Sequence, residues 1–263
     1  VPRDAPPLAL SVILPTLDEV DNLRALVPEL LRDVPRLAEL LVVDDGSEDG
    51  TQELVRKLAA YDGRVRLLAR EGPPCLTRAL RDGFAAARSP LVGWMDADGA
   101  MSGVDLERLA GCLEARGLDL VVGTRFAPEG RMKGQTRDGL GGRVAALTQL
   151  GDTQDPWYGV LLSWTLNAVV LPAILRDGVH DYTSGFAVAR RELLGALPLR
   201  GDHGEYFIDL WTRAERAGFR IGEEPYRIRP RRHGHSKTAS DARGYLRRGR
   251  RYLEAAWRAR RGL

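Results

Sequence analysis

Five short apolar runs recur through the first half of the chain, each parted from the next by an amphipathic stretch of helical length. The runs are Leu8–Leu14, Leu40–Val43, Val65–Ala69, Leu91–Met95 and Leu118–Val122. Between them, the spacing of apolar residues predicts helices over Asn22–Leu31, Thr51–Ala60, Leu76–Ala87 and Val104–Ala115. Parallel strands need a crossover, usually a helix, so this alternation predicts βαβ units and a mostly parallel sheet. Unbroken runs such as Ser11-Val12-Ile13-Leu14 suit strands covered on both faces. Asp49-x-x-Gln52 is expected to cap the second helix.

The remainder of the chain is less regular. With 263 residues, 44% of them hydrophobic, it suits one large α/β domain with appendages. Arg125–Asp155 is Gly-rich and reads as a long loop carrying Arg131, Lys133, Arg137 and Arg143. Pro156–Leu175 holds no charge for 20 residues but includes Ser163, Thr165, Asn167 and Pro172. It is expected to lie in a membrane interface, ahead of packing inside the protein or spanning a bilayer. Asp181–Val188 and Arg220–Ile228 read as strands and Tyr206–Ala217 as a helix. The segment Ala239–Arg261 reads as a basic amphipathic helix, either packed on the body or lying on a membrane surface. The expected organisation is a catalytic domain over 1–238, with an amphipathic segment near 156–176, followed by this helix over 239–263.

Charge is unevenly spread. Arg227–Leu263 carries 13 basic and 2 acidic side chains, so the rest of a chain with net charge +3 carries −8. An acidic body with a basic tail calls for an anionic partner: a lipid surface, a phosphorylated substrate or nucleic acid. No nucleic-acid recognition motif accompanies the charge, and none is expected as a partner. Two Cys, Cys75 and Cys112, have no metal-type spacing, and Val1–Pro7 does not read as a signal peptide. A reduced location on the cytoplasmic side, peripheral to the membrane, is the expectation.

Ligands of open parallel sheets bind at the carboxyl ends of the strands. The residues following four of the runs are Pro15-Thr16-Leu17-Asp18-Glu19, Asp44-Asp45-Gly46-Ser47, Asp96-Ala97-Asp98-Gly99 and Gly123-Thr124-Arg125-Phe126. Each alone has an ordinary explanation in turn chemistry. Four such groups on one rim form a site. Carboxylates one residue apart, as at Asp96 and Asp98, repel each other unless a cation joins them; Mg²⁺ or Mn²⁺ does so while also taking phosphate oxygens. There is no phosphate-binding P-loop, no Gly-x-Gly-x-x-Gly after the first strand and no Gly-x-Ser-x-Gly elbow. His233-Gly234-His235 lacks a nearby third ligand and reads as loop.

The ordered set of motifs resembles family 2 glycosyltransferases of the GT-A fold, and among them the dolichol-phosphate mannose synthase (polyprenyl-phosphate glycosyltransferase) group. The matching pieces are Val12–Thr16 with Glu19, Val42–Ser47 with Asp49–Thr51, Met95–Asp98, Gly123–Phe126, Asp181–Phe186 and Arg231-x-x-Gly234-x-Ser236-Lys237. The resemblance implies that Pro15, Glu19, Asp44 and Asp45 hold the nucleoside. It implies that Asp96 and Asp98 bind Mg²⁺ or Mn²⁺ and the donor diphosphate. Arg125, Ser163, Arg231, Ser236 and Lys237 would meet phosphate of the donor or acceptor, and Asp209 stands where the family usually has Glu. The implied partners are a nucleotide-sugar donor of the GDP-mannose or UDP-hexose type and a polyprenyl or dolichyl phosphate acceptor, with inversion at the anomeric carbon. The sequence departs from the family at Ala100, Gly159, Val160, Ala187 and Cys75-Leu76-Thr77. With Ala100 beside the pair, a third metal ligand must come from water or the donor. Two alternatives remain: a soluble hydroxyl acceptor with Asp209 as general base, and a non-catalytic module that binds sugar nucleotide or membrane.

Overall fold

The structure, a computed structural model, describes residues 6–125, 165–175, 179–233 and 242–262. Seven strands form one sheet in the order β3-β2-β1-β4-β6-β5-β7. They are β1 (Leu10–Thr16), β2 (Leu37–Asp44), β3 (Val65–Ala69), β4 (Leu91–Trp94), β5 (Leu120–Thr124), β6 (Ala187–Arg190) and β7 (Ile221–Pro225). All pairings are parallel except those of β6, which runs antiparallel between β4 and β5. The predicted mostly parallel sheet is thus present. Its reversed strand is shorter than the predicted Asp181–Val188, because residues before Ala187 leave the ladder to make side-chain contacts described below.

Helices α1 (Val20–Asp33), α2 (Thr51–Tyr61), α3 (Leu76–Ala86) and α4 (Gly103–Ala115) follow the first four strands. The apolar strands divide their side chains between two layers, as strand geometry requires. Val12, Leu14, Leu40 and Val42 pack with α1, α2 and α4 on one face. Ile13, Leu41, Val43 and Trp94 pack on the other with α3, α6 (Arg191–Ala196), α7 (Tyr206–Arg216) and α8 (Ala242–Arg261). Gly83 lets α3 come close to β1: an added Cβ would stand 2.5 Å from Ile13 Cγ2.

The expected Asp49–Gln52 cap takes a different form. Gly50, in the left-handed region at φ 93°, is the cap residue of α2 and makes no side-chain bond. Asp49 instead accepts from Thr51 N at 3.0 Å and from Val20 N at 3.0 Å, so it organises the starts of α2 and α1 together. Gln52 turns inward and donates to Asp44 at 2.7 Å.

Of the uncharged segment, Thr165–Leu175 is described. A π-helical turn (Leu166–Val170) leads into the short helix α5 (Leu171–Leu175). Pro172 has no N–H, and just before it Leu171 N reaches back five residues to Leu166 O. Leu166, Ile174 and Leu175 pack against the protein core and Leu171 is buried within it. One side of this segment therefore rests on the protein body, while Val169 and Ala173 are exposed. Ala255, Ala256 and Ala259 of α8 are buried, and α8 packs on α7 and α5. Small residues on this face let the helices approach closely. Among the described residues no helix is long and apolar enough to cross a membrane.

Candidate active site

The strand ends bring three of the predicted rim segments side by side, and β6 parts them from the fourth, at the end of β5. In the β1–β2 register Thr16 pairs with Asp44, and Met95 N donates to Ile13 O at 3.3 Å, which sets Asp96 and Asp98 beyond the end of β1.

Asp44 is fully buried and turned into its own loop. It accepts from Gly46 N (3.2 Å), Ser47 N (3.0 Å), the Ser47 hydroxyl, Thr16 Oγ1 (3.3 Å) and Gln52. Asp45 accepts from Cys75 N at 2.8 Å and is paired with Arg70, which also binds Asp82. Both carboxylates therefore hold the loops that form the rim. Glu19 accepts from Asn22 at 2.6 Å at the start of α1, while Pro15 is part-buried at the end of β1.

Asp96 and Asp98 sit in unlike surroundings. Asp98 is only 5% exposed; its Oδ1 accepts from Ala100 N at 2.9 Å and its Oδ2 lies 3.1 Å from Arg231 Nε. Asp96 is the exposed member of the pair, and a Cβ on Gly185 would lie in ordinary contact with its Oδ1 at 3.6 Å. Desolvation by the surrounding protein, and then the charge of Asp98, push its pKa up to about 6; Arg231 and Arg125 pull the other way, and Glu19 adds to the repulsion. Five of the predicted site residues thus share one electrostatic neighbourhood.

Arg125 makes a bidentate pair with buried Asp181, at 2.7 and 2.8 Å, and donates to Thr183 at 2.8 Å. Burial disfavours its charge, but Asp181 more than offsets this and raises the guanidinium pKa. Asn167 completes the group, donating to Thr183 at 3.1 Å and accepting from Tyr182 N at 2.9 Å. The Arg125 charge is thereby balanced within the protein.

The segment Arg229–His233 returns across the Asp98 turn. Arg229 N donates to Ala100 O at 2.8 Å and Arg232 N to Asp98 O at 3.3 Å. Asn22 bonds His233 through both its amide atoms, at 3.3 and 3.1 Å. Glu29 pairs with Arg229 at 3.1 Å and with Arg232.

Asp209 is not brought to these residues. Helix α7 begins at the rim, where Trp94 Nε1 donates to Tyr206 Oη at 2.9 Å, and runs away from it. The Asp209 carboxylate pairs with Arg213 at 2.6 Å in a groove lined by Leu197, Arg200, Arg216 and Ala259. Ser163, Ser236 and Lys237 lie outside the described residues, as do His235, Arg131, Lys133 and Arg137.

Sequence reasoning missed Asn22, Glu29, Asn167 and the partnership of Asp181 with Arg125. Asn22 and Glu29 had a weak signal: polar side chains seven apart share the helix face of Leu26. The others are joined only by tertiary contact.

Asp96 and Asp98 are hard oxygen donors of the kind a divalent cation takes, and the Arg231 guanidinium faces Asp98. Among the described residues no group of three or more His, Cys, Asp or Glu surrounds them.

The model of glycosyl transferase family 2 matches residues 11–197. The chain is 34% identical over 236 residues to the polyprenol monophosphomannose synthase of Mycolicibacterium smegmatis, covering 87% of this chain and 80% of that protein. It is 31% identical to the undecaprenyl-phosphate mannosyltransferase of Micrococcus luteus, covering 86% of each. Among solved structures, glucosyl-3-phosphoglycerate synthase from Mycobacterium tuberculosis, in complex with Mn²⁺, UDP and glucosyl-3-phosphoglycerate, superposes with a TM-score of 0.65. That match covers 97% of this chain and 81% of that one at 24% identity. The architecture is thus the GT-A type. The chain belongs to glycosyl transferase family 2.

Proposed function

We propose that this chain transfers a sugar, with inversion, from a nucleotide-sugar donor of the GDP-mannose or UDP-hexose type to a polyprenyl phosphate. The observation that carries the reading is the Asp96–Asp98 rim. The two carboxylates repel each other there, with Arg231 and Arg125 acting on Asp96 and Arg231 paired to Asp98. The names of the two mannosyl-transferring relatives support the lipid phosphate as acceptor.

Pro15, Glu19 and Asp45 would line the nucleoside end, with Asp44 holding the loop that shapes it. Asp96 and Asp98 would hold Mg²⁺ or Mn²⁺ together with the donor diphosphate. When bound there, the ion supplies Lewis-acid neutralisation of the leaving group. Arg231 would turn toward phosphate once Asp98 has another cation to face, and Ser163, Ser236 and Lys237 belong to the same phosphate-binding role. Arg125 would act on the electrostatics of the rim, since its hydrogen bonds go to Asp181 and Thr183.

A phosphate acceptor is already an anion. It needs positioning and charge compensation rather than a general base. Asp209, paired with Arg213, is not needed for such a step. The lipid acceptor also calls for peripheral attachment at the cytoplasmic face. Helix α8 suits this, with Trp257 49% exposed and Arg260 and Arg261 close to its ring.

The test is a thermal-shift panel of nucleoside diphosphates with Mg²⁺ or Mn²⁺, followed by transfer to a short polyprenyl phosphate. The wild type is expected to transfer, and Asp98→Ala to lose at least about a hundredfold in rate. Near-normal transfer by Asp98→Ala would remove the metal assignment. Loss of transfer in Asp209→Asn with donor binding intact would favour a hydroxyl acceptor.

A further inference from the structure

The geometry points to Glu29 as a positioning residue: from helix α1 it holds the returning segment Arg229–Arg232 so that Arg231 faces Asp98. The inference rests on the donor-site reading above and deepens it.

Glu29 is only 8% exposed, an unusual setting for a carboxylate on a surface helix. Its Oε1 accepts from Arg229 Nη1 at 3.1 Å and its Oε2 pairs with Arg232. These two residues flank Arg231. Their backbones are pinned as well, Arg229 N to Ala100 O and Arg232 N to Asp98 O. The Arg232 side chain lies over Gly99, where an added Cβ would meet its Cδ at 3.1 Å. Two helical turns away on the same face, Asn22 grips His233. The segment is therefore fastened to α1 and to the Asp98 turn, and Arg231 is left with its Nε 3.1 Å from Asp98.

Glu29 does a second thing. Arg229 and Arg232 add two positive charges close to a rim proposed to take a cation. The Glu29 carboxylate pairs with both and offsets part of that charge, while Arg231 pairs with Asp98. Without that carboxylate, Arg229 and Arg232 would repel each other and the segment would lose its preferred position. Ordering it would then draw on the free energy of donor binding.

The test is a double-mutant cycle on binding of guanosine or uridine diphosphate with Mn²⁺, read by calorimetry on the full chain. Glu29→Gln keeps the side-chain shape and removes the charge. It is expected to weaken binding on the order of tenfold, because charge-assisted bonds that pre-organise Arg231 are lost. In an Arg231→Ala background, Glu29→Gln should have little further effect. Arg229→Gln, at a half-exposed side chain, gives a second route that spares the helix. It should weaken binding less than Glu29→Gln and should likewise add little to Arg231→Ala. Wild-type affinity in Glu29→Gln would overturn the inference alone. So would an equal loss with and without Arg231, since a merely structural role is additive. A wild type that binds neither diphosphate would overturn the donor-site reading and this inference with it.

Discussion

Asp96 carries a charge that its surroundings disfavour, and this has a measurable consequence in the metal-free protein. Its folded pKa is about 6 against an ordinary value of 3.8. Between those values the native state binds more protons than the unfolded chain, so the contribution of this group to stability falls as pH rises through the window. Asp96→Asn is expected to have a higher Tm than the wild type at about pH 7.5 and no such advantage near pH 4. A thermal melt of both proteins across that range, without added metal, decides it; a pH-independent difference would assign the effect to packing. Arg231 gives a second test with two opposite signs. It faces Asp98 now, so Arg231→Ala should let Mn²⁺ alone bind more tightly. The same substitution should weaken the complex with a nucleoside diphosphate about tenfold, because a phosphate-facing cation is gone. Titration with Mn²⁺, with and without the diphosphate, separates the two. Parallel losses in both would show that Arg231 only supports the fold.

At the scale of elements, the close packing of β5 explains one motif residue. Gly123 lies beneath the edge-to-face pair of Phe186 and Tyr226, whose centroids are 4.9 Å apart. A Cβ at Gly123 would stand 2.5 Å from Phe186 Cδ1 and 2.9 Å from Tyr226 Cδ1, both parts of rigid buried rings. Gly123→Ala is therefore expected to destabilise the protein by about 1–3 kcal/mol in urea unfolding. An unchanged midpoint would mean that the rings move apart freely. The same region shows why β6 was only partly legible. Asp181, Tyr182 and Thr183 read as strand by composition, yet they are committed to Arg125 and Asn167. Only Ala187–Arg190 remains to pair, and its direction is set by neighbours on both sides. The first five strands and four helices were legible because each apolar run and each amphipathic stretch carries its own period. The predicted and observed limits of β3 even coincide.

Over the whole molecule, the opposite charges of body and tail predict attraction of the tail to an anionic surface. Exposed Arg250, Arg251, Arg258 and Arg261 accompany Trp257 along α8, with Glu254 the only acid on that helix. Wild-type protein is expected to sediment with anionic vesicles at low salt and to be released as salt rises, since each basic residue near such a surface contributes about 1 kcal/mol. Trp257→Ala with Arg258→Ala should reduce that binding about tenfold or more. Equal binding to neutral vesicles, or stronger binding to duplex DNA, would refute the lipid reading. By itself the sequence determined the alternating α/β architecture, the acidic rim at the strand ends and the basic tail. Those properties follow from local periodicity, from strand-end position and from charge counts, all of which are written along the chain. Only the tertiary structure decided that Arg125 is matched by Asp181. It alone placed Arg231 opposite Asp98, under the hold of Glu29 some two hundred residues earlier. Such pairings depend on which helix face meets which loop, and nothing in the spacing of residues encodes that meeting.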